Sequence, residues 1–314
     1  MEITNTNLDL IYRNANVRYQ GALNGTVSYL NQIATTFPSA TRQETYAWLE
    51  RLPRLRKWFG NRVVNSANTH AQVVTNYPFE LTVALKRRDV QDDQLGIFGN
   101  TVDEMGQQAG LWPDREIADF ITSSTGAIAT NGFDGVPFYS ASHPNNGGDI
   151  TGGPSGTQSN LYVNTALTYD NYVAQRAIMQ SWTGFDGAPL NISVDTLMVP
   201  PALEGTGKLI LEADFLANTA GTAPQTNVFK GTAKLLVNKL LANKPNNWFL
   251  LSTSNVVKPY LWQLRKAPVF TMLTDPASPN VFLANEFMYG LDSEGAASMT
   301  LWFLSMACTS AGSY

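Results

Sequence analysis

The sequence predicts an α+β protein, with a helix-bearing centre joined to a strand-rich final third. Three patterns carry that reading. Phe79, Leu81, Val83 and Leu85 alternate with Glu80, Thr82, Ala84 and Lys86, the two-residue period of a half-buried strand. Leu95, Phe98, Val102, Met105, Ala109 and Trp112 recur at alternating intervals of three and four, which sets them in one stripe along a helix. Apolar runs at 260–264, 269–273, 281–289 and 299–307 fill the last third with strand-forming residues.

The chain has 314 residues, enough for one large domain or two of ordinary size. Hydrophobic residues make up 44% and charged residues only 15%, against roughly 25% charged in typical soluble domains. The polar surface is therefore built largely from Asn, Gln, Ser, Thr and Gly, which cost less to desolvate than charges. Such a surface suits a protein covered by partners, although composition alone fits an uncharged exported β protein equally well. A net charge of -4 and a pI near 5.2 argue against a dedicated nucleic-acid binder, because counterion release needs clustered cations. The single Cys308 excludes an intrachain disulfide framework and suits a reducing cytoplasm. No apolar run approaches the roughly 18 residues that span a bilayer, and the opening MEITNTNLDL does not read as a signal peptide. A soluble protein made inside a cell is expected.

Residues 1–35 are mostly polar, with scattered Leu8, Leu10, Ile11, Tyr12, Val17, Tyr19 and Leu23, and read as an arm that packs on something else. A helix is expected from Ser39 or Thr41, where a capping residue precedes Glu44 and then Tyr46, Trp48, Leu49 and Leu52; Pro53 should break or kink it. The cations Arg51, Arg54, Arg56, Lys57 and Arg62 suit solvated or intersubunit ion pairs, or nucleic-acid contact. A hairpin is expected next, from the extended segment Val63 to Thr75 through a turn at Asn76, Tyr77 and Pro78 into the alternating run. A two-stranded hairpin is marginally stable in water, so it needs a further surface, its own domain's or a neighbouring subunit's.

Asp92 and Asp93 stand at the start of the striped helix, where the helix dipole favours negative charge. Gly96, Gly99, Gly106 and Gly110 each cost roughly 1 kcal/mol relative to alanine, so this helix should not persist without packing. Pro113 kinks it or begins a second segment carrying Ile117, Phe120 and Ile121. Lys86, Arg87, Arg88 and Asp89 precede Asp92 and Asp93 at the junction of hairpin and helix, and these opposite signs read as a clamp. The region from Thr122 to Gly156 is Gly-rich, with 145–156 its best loop candidate. GFDGVPF at 132–138 and GFDGAPL at 184–190 are near-copies, each an Asp-Gly turn followed by a proline and an apolar residue; a repeated turn explains them. Thr168 opens a helix through Trp182. A strand at 197–199, a helix after Pro200 and Pro201, and strands near 235–237 and 248–251 follow.

Catalytic chemistry has little to draw on. The only imidazoles are His70 and His143, the only thiol is Cys308, and no HExxH, CxxC, phosphate-binding loop or GxSxG occurs. His143, before a proline in a Gly-rich turn, reads as a surface residue. Asp134 and Asp186 could pair for acid-base work, but their turns already explain them. Asp149 and the Asp92–Asp93 pair lack EF-hand spacing. No catalytic, cofactor-binding or metal-binding residue is assigned, and the chain reads as a non-enzyme.

The stretch SATRQETYAWLERLPRLRKWFGNR, then FELTVALKRRDVQDDQLGIFG with VDEMGQQA, closely resembles the Mu-like phage major head subunits. FDGVPFYSASHP, LMVPPALEG, FKGTAKLLV, VKPYLWQLRKAP and MYGLDSEGAASMTLWFLSMA resemble the same family in the same order, so the similarity runs from about residue 25 to 309. The resemblance implies the Hong Kong 97-type capsid fold. Mapped here, it implies an N-terminal arm (1–35), a helix and linker (36–61), an extended hairpin or E-loop (62–91) and a spine-helix peripheral domain (92–190). An axial domain (191–258) and closing strands of the peripheral domain (259–314) complete it. The chain departs from the family pattern in the 145–156 loop and at Gly110, Leu111 and Trp112.

The implied function is self-assembly into hexamers and pentamers of an icosahedral or prolate shell around double-stranded DNA, assembled in the host bacterial cytoplasm. Implied partners are other copies, a separate scaffolding protein, a portal, decoration proteins and DNA contacted non-specifically, with no membrane and no cofactor. A cationic lining would trap packaged DNA, so the acidic balance fits a container. Phe79, Leu81, Arg87, Arg88, Asp92 and Asp93 are the candidate intersubunit contacts. The rivals are a bacterial nanocompartment shell, which encloses an enzyme, and a secreted or surface β-rich enzyme or adhesin.

Overall fold

The computed structural model describes residues 5–49, 69–91, 97–123, 126–145, 156–184, 187–216, 225–275 and 278–310. Helix α1 (Asn5–Gly25) covers most of the stretch whose sequence reads as an arm. It lies along the chain's own long helix, with Ala15 and Tyr19 buried and the Tyr19 ring stacked on Phe270 at 5.3 Å. After the single turn α2 (Leu30–Ile33), strand β1 (Ala34–Pro38) enters a sheet.

The helix expected from Ser39 or Thr41 is instead strand β2 (Gln43–Leu49). The capping signals are real but serve a turn: the Glu44 carboxylate accepts from the amides of Ala40 and Thr41 and from the Ser39 hydroxyl. The Ala40 amide above all, then that of Thr41, holds Glu44 below the usual carboxylate range. Pro53 and the 50–61 linker lie outside the described residues.

The expected hairpin is corrected as well. Strands β3 (Thr69–Thr75) and β4 (Tyr77–Lys86) are consecutive but do not pair with each other. β3 pairs with β2 as a two-stranded ribbon, Gln43 facing Thr75 and Leu49 facing Thr69. At the joint, Asn76 donates its amide to the Arg42 carbonyl and its side-chain NH₂ to the Ser39 hydroxyl and the Thr41 carbonyl. The chain therefore changes partner at Asn76 without reversing. Residues 62–68 lie outside the described residues.

Helix α3 (Arg87–Gln91) follows, then α4 (Ile97–Thr122), which continues through Pro113 as one helix of roughly 40 Å at 1.5 Å per residue. Asp92 and Asp93 fall outside the described residues. The glycines of α4 find their use against α1: a Cβ on Gly106 would stand 2.6 Å from the Tyr19 carbonyl oxygen, so only glycine admits this approach. Arg18 of α1 pairs with Asp103 of α4 at 2.5 Å.

The two-residue strands β5 (His143–Pro144), β6 (Thr157–Gln158) and β7 (Leu161–Tyr162) lead to α5 (Tyr169–Ser181), whose N-cap is Thr168 as expected. Strand β8 (Thr196–Val199) is fully buried. Helix α6 (Glu204–Leu211), the short pair β9 (Phe215–Leu216) and β10 (Gln225–Thr226), β11 (Lys234–Val237) and β12 (Asn247–Leu251) come next. The runs at 260–264 and 269–273 are one strand, β13 (Tyr260–Leu273), with irregular register around Lys266. The 281–289 run divides into α7 (Pro279–Ala284) and the start of β14 (Glu286–Met299), the division marked by Asn285 in the left-handed region at φ 54°. β15 (Ser305–Thr309) closes the described chain.

Two sheets organise these elements. The first has the order β1-β13-β14-β4 and shares a core with α1 and the first half of α4 through Val102, Met105, Phe270, Phe287 and Tyr289. The second, β11-β8-β12-β15-β7, is the centre of a larger core that takes in Ile117 and Ile121 of α4, Tyr172 and Met179 of α5, and Ile210 of α6. β13 and β14 thus lie in the first sheet, whereas β15, buried throughout, lies in the second. Much of 127–190 packs in that second core too.

Candidate assembly surfaces

Along β4 the apolar residues are half-buried and the alternate ones exposed, because one face of the strand turns toward α4. Phe79 packs its ring on Trp112 at 5.0 Å, and Leu81 joins the edge of the first core. β4 is an edge strand: it pairs only with β14 among the described residues. Between β4, the neighbouring Leu291 and Ser293 of β14, and α4 runs an open groove of about 600 Å³.

Glu116 stands in this groove. Burial, with the nearby Asp119 charge adding to it, raises its carboxyl to about 7. The folded subunit therefore holds that proton more tightly than the unfolded chain does, and Glu116 lowers stability as pH rises from about 4.5 to about 7. Glu116→Gln is expected to flatten the stability-against-pH curve in that window, measured by urea denaturation; an unchanged slope would refute the assignment.

Arg87 and Arg88 sit in α3 at the far end of β4, and the Arg87 amide donates to the Asn285 carbonyl beyond α7. Arg88 is exposed and Arg87 half-buried. The structure therefore groups Phe79 and Leu81 in the groove, with Arg87, Arg88 and Asp89 one strand length away in α3, while Asp92 and Asp93 of the expected clamp lie outside the described residues.

His143 is the largest departure from expectation, since it is completely buried. Its ring stacks on Trp302 at 4.2 Å, Nδ1 lies 2.5 Å from Asp134 Oδ2, and Nε2 lies 3.0 Å from Asn160 Oδ1. Asn160 gives its NH₂ to the carbonyls of Phe138, Trp302 and Ser305, which fixes Oδ1 as an acceptor. Both ring nitrogens thus face oxygen partners, so the buried ring is held from two sides. This cluster ties four chain segments together. The near-copies also match in three dimensions: Gly132 N–H bonds the Val136 carbonyl and Gly184 N–H that of Ala188, with Gly135 and Gly187 at φ 81° and 72°. Asp186 lies outside the described residues.

Among the described residues no group of His, Cys, Asp or Glu could hold a metal ion, and no helix is long and apolar enough to cross a membrane. His70 faces Trp48 across the ribbon. Burial raises the Cys308 thiol far above its ordinary range, as suits a core side chain.

A long helix on an edge-exposed sheet, a ribbon beside it and a second sheet-centred core define a class, the Hong Kong 97-type fold of phage head subunits. The particular family follows from the sequence. A family model described as Mu-like prophage major head subunit gpT matches residues 8–166, 153–241 and 238–311, and the chain belongs to that family. It is 26% identical over 289 residues to the major capsid protein of Escherichia phage Mu, covering 92% of this chain and 69% of that relative. It is 24% identical over 280 residues to the Mu-like prophage FluMu major head subunit of Haemophilus influenzae, covering 89% of this chain and 66% of the relative. A chain in the procapsid of bacteriophage JBD30 superposes with a TM-score of 0.60 at 26% identity, covering 98% of this chain and 76% of that one.

Proposed function

We propose that the chain is the major capsid protein of a Mu-like phage, assembling with copies of itself into hexamers and pentamers of a closed shell around double-stranded DNA. The observation that carries this is membership of the head-subunit family along nearly the whole chain. Head-to-tail contacts that close into rings, and a second contact joining the rings, are the minimum for such a shell. In this reading α1 is the arm and the ribbon of β2 and β3, with residues 50–68, is the E-loop. α4 with the first sheet forms the peripheral domain, and the second sheet belongs to the axial domain. The protein has no enzymatic role, acts in the virion after assembly in the host cytoplasm, and works with a separate scaffolding protein, a portal and decoration proteins.

Electron microscopy of the purified protein tests the proposal: closed particles are expected, and a homogeneous monomer at every concentration and salt would overturn it. Particles holding a cargo enzyme in place of a genome would support the nanocompartment alternative. Arg87 and Arg88 are proposed contacts between copies. Reversing both charges should reduce particle yield most at low ionic strength, where screening is least. A yield that does not vary with salt would remove them from the interface.

A further inference from the structure

Glu116 is a half-buried carboxyl with no hydrogen-bond or ion-pair partner among the described residues. Its surroundings in the groove between α4 and β4 work against a charge. Glu80 of β4, which accepts from the Thr82 hydroxyl, and Glu104 and Asp119 of α4 line the same groove. The one cation in that lining, Arg115, is bonded to Gln108. The remaining wall is uncharged: β13 contributes Pro268, and β14 contributes Leu291 and Ser293.

An ionised Glu116 therefore depends on water for its solvation, and the carboxylates around it repel it. A protonated Glu116 escapes both costs and tolerates the apolar floor. Trp112 forms the nearest part of that floor, one helical turn before Glu116 on the same face of α4. Its ring lies 5.0 Å from that of Phe79 and 4.8 Å from that of Trp262, and its indole nitrogen is buried. Water drawn toward the Glu116 carboxylate thus arrives at the edge of this ring.

We infer that the groove is proton-operated: a protonated Glu116 lets α4 close on β4 over the apolar floor, and an ionised Glu116 draws water in, parts the two elements and uncovers Trp112. Closure and proton uptake favour each other, because each state of the groove prefers the form of the carboxyl that it can solvate. Burial first, then the Asp119 charge, raises the Glu116 carboxyl from 4.5 to about 7, which sets the change in the neutral range. The apolar floor is presented on the alkaline side of that range and hidden on the acid side. The device lies within one subunit and operates whether or not copies assemble.

Hydroxyl-radical footprinting of the dilute, unassembled full-length chain, read by mass spectrometry at single tryptophans, tests this. Labelling of Trp112 should rise through one midpoint near pH 7, while Trp248 and Trp302, buried in the second core, stay constant. Glu116→Gln should hold Trp112 at its acid-side labelling at every pH. Asp119→Asn, which removes the neighbouring charge, should move the midpoint down and keep the rise. Trp112 labelling that ignores pH in the unsubstituted chain, or that rises equally in Glu116→Gln, would overturn the proposal. So would a rise shared by Trp248 and Trp302, which would report a general loosening. Should Glu116→Gln not fold, as judged by circular dichroism, an unmoved midpoint in Asp119→Asn is the result that overturns it.

Discussion

Replacing residues 50–68 with a four-residue Gly-Ser turn is expected to leave a folded subunit that forms no particles. The body should survive because both described cores lie outside that segment: α1, α4 and the first sheet bury Tyr19, Met105, Phe287 and Tyr289 without it. The second core is likewise built from other residues. The ribbon base should survive as well, since Tyr46 bonds Gln263, Gln72 bonds Ser298 and Asn76 holds the 39–42 turn. A deletion that reached into 77–82 would be a poorer probe, because those residues pair with β14 and their loss would unmake the sheet. Assembly should fail because an arm contact gains its ordering energy only from the partner that receives it. Circular dichroism and thermal melting report the body, and electron microscopy reports the shell. Normal particles from the shortened chain would end the E-loop assignment.

The second large effect concerns stability. His143→Ala should cost about 3–5 kcal/mol, because it leaves the Asp134 carboxylate buried without its partner and the Asn160 oxygen without a donor. Asp134→Ala should cost a similar amount by leaving the buried Nδ1 of His143 without its partner, and the double variant should cost clearly less than the sum. Urea denaturation of the three variants measures this. A loss below about 1 kcal/mol for His143→Ala, or strict additivity, would mean that the pair is not the tie between segments that its burial implies.

Much of the fold was legible because periodicity reports burial directly. The stripe from Phe98 to Trp112 marked α4, Thr168 marked its helix, and the near-copied turns closed alike. What periodicity does not report is the partner. The alternation in 79–86 identified a strand correctly, yet nothing local says that β14, two hundred residues away, would pair with it in place of the preceding segment. Ser39, Thr41 and Glu44 were ambiguous for a different reason: the same side-chain-to-amide bonds cap a helix or fasten a turn, and Tyr46 and Trp48 fit either period. The glycines of α4 read as a cost until α1 lay against them. For His143 the chain did hold a usable signal, since Asp134 lies nine residues before it in a tight turn, but burial depended on Trp302 and Asn160. Among the assembly candidates, Phe79 and Leu81 came from the strand pattern, whereas Glu104, Glu116 and Asp119 belong to the groove only once α4 is set beside β4.

Pro113 has no amide hydrogen, so the Ala109 carbonyl loses its helical donor, and that gap falls between Ala109, held in one core, and Ile117, held in the other. The rod is clamped at both ends and weakest at its middle. Should the two halves of the subunit tilt as curvature varies from one lattice position to the next, the flexure would concentrate there and spare the packing on either side.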